Sequence, residues 1–211
     1  MYIFFFLTFD FLSTIFKINK GGEKVAHEST VLEIMEVLKV ADDKIIGEIM
    51  ASKGIWSEGQ STRTNSLKSL KTLADLRKIE RCNGFFRTLD CKSDYKDHAK
   101  LLTKALAEIL KLNFPVKIYR EITIPEKGLR SDAICLITKD NHGLCFVLEV
   151  IHNETQEYFK QKLTTWKTWN EATQYLSKLF GYKIPCFSVI TAGQRMFDVL
   201  TLDDLLEEVR K

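Results

Sequence analysis

The stretch RSDAICLITKDNHGLCFVLEVIHNE, Arg130 to Glu154, decides how this chain is read. It holds two apolar runs of strand character, joined by the polar turn KDNHG. Runs so apolar suit strands buried on both faces of a sheet. Yet Asp132 sits near the start of the first run and Glu149 near the end of the second. A hairpin would set the two side by side. A carboxylate between Leu148 and Val150 is costly to bury unless it is paired or bound to a metal. Two hard oxygen donors suit magnesium or manganese, which keep several waters of their own. Asp132 and Glu149 are therefore the candidate metal ligands and catalytic carboxylates. Arg130 and Arg120 are alternative ion-pair partners for Asp132.

Working outward, YKDHAKLLTKALAEILKLN before this hairpin reads as a helix and VKIYREITIP as a strand. After it come one long helix or two between Asn153 and Gly181, then the apolar strand IPCFSVITAG and a closing helix capped by Thr201 or Asp203. The order is α-β-β-β-α-β, then α. Lys162 falls on the helix after the hairpin. It is either a solvated helix lysine or one that reaches back to Glu149. Trp166 and Trp169 share helical spacing with Leu163 and read as core. Glu121, on an edge strand, either joins the carboxylates or faces solvent.

Further upstream, Ser29 to Leu89 reads as three helices and a hairpin. Ser29 is a candidate cap for the first, with Leu32, Ile34, Met35 and Leu38 inward. DDKIIGEIMAS opens with acids, which suit a helix N-terminus. A third helix runs from about Ser61 to Ala74, with Leu67, Leu70 and Leu73 inward. Asn83-Gly84 marks a tight turn. This order is a winged helix-turn-helix pattern. Ser61, Thr62, Arg63, Thr64, Asn65, Lys68 and Ser69 on the third helix, with Arg81 and Arg87 on the wing, are the candidate DNA contacts.

The 211 residues suffice for one large or two small domains, and 45% hydrophobic with 28% charged residues is ordinary globular composition. A net charge of +3 is too mild to identify a partner by itself. Five scattered cysteines without CxxC spacing argue against zinc and a disulfide framework, which points to a reducing cytoplasm. MYIFFFLTFDFLSTIF is short for a membrane span and carries Asp10. An extra strand or helix, a non-native start or a weak membrane-associating segment are its readings, and no stable membrane association is expected. KINKGGEK reads as a linker. No Walker lysine, HExxH or nucleophile elbow is present.

From about Tyr95 to Thr191 the order of elements, with the SDA and LEV segments, resembles the PD-(D/E)xK nuclease superfamily. That superfamily carries a lysine two residues after the glutamate, where this chain has Ile151. The whole chain more closely resembles the replication-relaxation family of plasmids and mobile elements, which joins a winged helix to a nuclease-like fold. The matching features are His98 on the linking helix, RSDA at 130–133, LEV at 148–150 and KLTTW at 162–166. The resemblance implies an α+β chain in three parts. These are an apolar extension and linker (1–24), a winged helix-turn-helix (25–92) and a restriction-endonuclease-like domain (93–211). It implies double-stranded DNA as partner and a role in replication, relaxation or transfer; a homodimer is a separate expectation. Asp132, Glu149 and Lys162 would form the site, with Mg2+ or Mn2+ as cofactor. Ile151 leads to the expectation that the site is incomplete and that the chain cuts DNA poorly alone. The alternatives are an Mrr-like metal-dependent endonuclease and a winged-helix regulator with a dimerisation domain.

Overall fold

The structure, a computed structural model, describes residues 7–8, 24–57, 59–92, 96–139, 142–193 and 199–210. It is a mixed α+β protein with helices and two sheets. The chain divides into two compact units, Ile18–Asn113 and Phe114–Lys211, the latter including Met1–Lys17. Strand β1 (Leu7–Thr8) belongs to the second unit. The rest of the apolar N-terminal run lies outside the described residues. Among the described residues no helix is long and apolar enough to cross a membrane.

In the first unit, α1 spans Lys24–Leu38. It begins before Ser29, which is exposed mid-helix rather than a cap, because KVAHE is good helix-forming sequence. Lys39, at φ 61°, ends the helix and leads into β2 (Val40–Ala41). Asp42 caps α2 (Asp43–Ser52) by accepting from Ile45 N–H at 2.9 Å. Helix α3 is Gln60–Asp75. A Cβ on Gly47 would meet Thr62 Cγ2 at 3.2 Å, so glycine permits the close α2–α3 approach. Strands β3 (Ile79–Cys82) and β4 (Phe85–Thr88) flank the Asn83-Gly84 turn, with Gly84 at φ 79°. The sheet order is β2-β4-β3, all antiparallel. Two-residue β2 leaves no period for sequence reading to detect.

Helix α4 (Asp97–Leu110) joins this unit, so the compact units part at Asn113 rather than at residue 93. Thr103 Oγ1 donates to Val40 O at 3.0 Å, and Lys111 Nζ meets Glu48 Oε2 at 2.7 Å. Leu102, Leu106 and Ile109 are buried. The helix lays an apolar stripe inward and is tied at its middle by Thr103 and at its C-terminal end by Lys111.

The second unit is built on β5 (Val116–Ile124), β6 (Leu129–Lys139), β7 (His142–Ile151) and β8 (Ser188–Gly193). β5-β6-β7 are antiparallel, while β8 runs parallel to β7. β1 pairs with the start of β7, Leu7 opposite Gly143. Helix α5 (Gln156–Thr168) and α6 (Ala172–Phe180) break at Trp169, whose ψ of 97° leaves helical space. Trp166, Leu176 and Phe180 pack on Ile134, Leu136, Cys145 and Val147. These helices therefore cover one face of the sheet. The last strand starts later than the apolar run suggests: Pro185 cannot donate to a ladder, and Ile184 is buried outside the strand. Helix α7 (Leu202–Arg210) is capped reciprocally, Thr201 N–H donating to Asp204 Oδ2 (3.1 Å) and Asp204 N–H to Thr201 Oγ1 (3.2 Å).

Candidate carboxylate–lysine site and nucleic-acid face

The sheet of the second unit forks at Asp132 and Glu149. β6 and β7 pair from Lys139 opposite His142 down to Ala133 opposite Leu148. Beyond that point β6 continues with β5 alone, Ser131 opposite Ile122. β7 continues with β8 alone, Glu149 opposite Thr191 and Ile151 opposite Gly193. At the fork Val150 N–H has lost its β6 partner and donates to Asp132 Oδ2 at 2.7 Å. The sequence expectation that the two acids lie together at one end of the sheet is met by this register.

Lys162, on α5, donates to Glu149 Oε2 at 2.5 Å. The pair is deeply covered, with side-chain exposures of 9% for Lys162 and 2% for Glu149. Lys162 is thus neither a solvated helix lysine nor a distant one. The counter-charge expected from Arg130 or Lys162 is supplied to Glu149 by Lys162. Burial pushes the Glu149 carboxyl up to about 8, against the pull of the Lys162 charge, and the Asp132 charge adds to the rise. Burial disfavours charge on Lys162, but the Glu149 charge and hydrogen bond outweigh it, and the ammonium is held above its usual range.

Ile151 is 1% exposed and packs with Phe159 and Val199, with Leu163 alongside. Side chains two apart on a strand share a face, so Ile151 and Glu149 both look toward α5. Phe159 and Leu163 flank Lys162 on that helix. The isoleucine that departs from the nuclease pattern therefore seats the helix that delivers a lysine to the glutamate. Sequence reading treated Ile151 only as a missing lysine.

Glu121 is exposed, at φ 51°, and meets Arg130 Nη2 at 3.4 Å and Arg120 Nη2 at 3.7 Å. It faces solvent and its arginine neighbours. Trp166 is buried and Trp169 packs against the same cluster, as core spacing implied. His98 is half-buried on α4, in the first unit. Among the described residues no group of three or more His, Cys, Asp or Glu is arranged to hold a metal. Any cation here would rest on two carboxylates and other oxygens.

In the first unit, Arg63, Thr64, Asn65 and Lys68 are exposed on α3, and Arg81 is exposed beside the Asn83-Gly84 turn. Arg63 Nε donates to Asp43 Oδ2 at 2.7 Å, yet its side chain is 75% exposed. Three corrections apply to the expected face. Thr62 is buried and donates to Ser57 O (2.6 Å), and Ser69 is buried, because both lie on the inward side of α3 with Ser66. Arg87 is half-buried, its Nε held by Glu80 Oε2 at 2.6 Å across the hairpin. No protein-family model matches the chain, and no curated protein or solved structure matches it either.

Proposed function

We propose that this chain is a DNA-binding protein of the replication-relaxation kind, serving a plasmid or mobile element, with a winged helix and a restriction-endonuclease-like unit. We take Asp132, Glu149 and Lys162 as a metal-dependent phosphodiester-cleaving site. The carrying observation is Lys162 Nζ at 2.5 Å from Glu149 Oε2, which supports a lysine supplied from α5 in place of residue 151. That contact favours the endonuclease alternative over an incomplete site.

Magnesium or manganese fits the donor set: two hard carboxylates at a sheet fork, with Glu149 Oε1 buried and lacking a hydrogen-bond partner among the described residues. Asp132 and Glu149 would hold the cation. When bound, it supplies Lewis-acid polarisation of a phosphoryl oxygen and a more acidic water. The chain's own groups do the rest. Val150 N–H fixes Asp132, and Lys162 fixes one oxygen of Glu149. An ammonium has three donors, so Lys162 can also orient a water or meet a phosphate oxygen. The exposed polar face of α3 and Arg81 would place double-stranded DNA. A homodimer and a cytoplasmic location accompany this reading.

A second reading is a DNA-binding regulator without cleavage. It draws on the 1% exposure of Glu149, which is also what a structural ion pair would show. Incubation of the purified chain with supercoiled plasmid and magnesium separates the two. Nicking that needs the metal and disappears in Glu149→Gln is expected. An inert wild-type protein would favour the regulator.

DNA placement has its own test. Lys68→Ala with Arg81→Ala should weaken duplex binding and flatten the log K versus log salt slope by about 2, near 0.9 per phosphate contact. Gel shifts at several salt concentrations measure it. An unchanged slope would remove the first unit from the DNA contact.

A further inference from the structure

Glu149 and Thr191 face each other across the parallel β7–β8 ladder. Paired residues in a ladder project from the same face, so the Thr191 hydroxyl shares the α5-side face with the Glu149 carboxylate. Each residue is 1% exposed. Glu149 Oε1 and Thr191 Oγ1 are both buried without a hydrogen-bond partner among the described residues. An unsatisfied buried polar group costs about 1–3 kcal/mol, and two on neighbouring strands point to a missing third group. The backbone does not explain the threonine: Thr191 N–H donates to Leu200 O at 3.0 Å, which any residue but proline could do. Val189 and Ile190 precede it on β8, and valine would fill the same volume without a polar atom. The hydroxyl is the difference.

We propose that Thr191 is a further residue of the cation site, its hydroxyl joining Glu149 Oε1 on a hydrated divalent metal ion held with Asp132. This rests on the metal reading above. A hydroxyl oxygen is a hard donor of the sort magnesium and manganese accept, directly or through a bound water. It would bring a third oxygen-bearing side chain from a third strand to a site that otherwise has two.

The test is calorimetric titration of manganese chloride into the full chain as wild type, Thr191→Ser and Thr191→Val, with thermal melts of each in chelator and in manganese. Wild type and Thr191→Ser are expected to bind alike, and Thr191→Val about tenfold more weakly. In chelator Thr191→Val should melt no lower than wild type, while its manganese-induced rise in Tm shrinks. Should Thr191→Val not fold, Thr191→Ala carries the same expectation of tenfold weaker binding. Equal affinity in the hydroxyl-free variant overturns the role of Thr191 and leaves Asp132 and Glu149 as ligands. Equal weakening in Thr191→Ser overturns it too, since the hydroxyl is kept there. No manganese binding by wild type overturns both this inference and the metal reading.

Discussion

Lys162→Met should lower the unfolding free energy by about 3 kcal/mol at pH 9 in chelator, and by about 1.5 kcal/mol at pH 6. The reason is the buried carboxyl that the substitution strands. In the wild-type fold Glu149 titrates near 8, above its ordinary 4.5. A carboxyl raised in this way contributes stability that is fully present below the unfolded value and is lost as pH rises through the folded one. The Lys162 ammonium, itself raised, keeps its own contribution until pH passes above its usual range. Without Lys162 the folded value of Glu149 climbs further, so the loss of stability continues beyond pH 8. At pH 6 the carboxyl is protonated in both proteins and little is stranded. Denaturant unfolding at the two pH values measures this. A penalty equal at pH 6 and pH 9 would mean that Lys162 and Glu149 are not coupled. Adding Glu149→Gln to Lys162→Met should remove most of the pH dependence.

Ile151→Lys tests the other half of the exchange. A position 1% exposed, packed with Phe159 and Val199, has no water for an ammonium. The substitution loses apolar burial and places a second cation on the face that Lys162 already occupies. A cost of about 3–5 kcal/mol is expected, against about 1 kcal/mol for Ile151→Val, which only trims a methylene. Thermal melts of the two variants decide. If Ile151→Lys melts with wild type, residue 151 opens to solvent at the fork and the packing account fails.

The second unit was the more legible in sequence because its strands are long and apolar, and because two acids interrupt them. Register follows from alternation once the hairpin is placed, so Asp132 and Glu149 meet as expected. Lys162 was harder to assign. Its distance from Glu149 depends on where α5 crosses the sheet, and that is set by Ile151, Phe159 and Val199, a long-range packing that no local period reveals. Thr191 gave one faint signal, a hydroxyl in an apolar run, which a strand propensity scale rates as ordinary. In the first unit the helices and the Asn83-Gly84 turn were plain. The direction of Thr62 and Ser69 was not, since short polar residues carry no apolar mark of the buried side. The amphipathic stripe of α4 shows that the helix packs, not in which unit it does so.

The central claim is that α5 supplies the lysine that β7 lacks. Its most direct measurement is the rate at which supercoiled plasmid is nicked in magnesium at pH 7 by wild type and by Lys162→Met, with melts confirming that both are folded. The account predicts metal-dependent nicking by wild type and a loss of about a hundredfold or more in the variant. Nicking by Lys162→Met at the wild-type rate would contradict it.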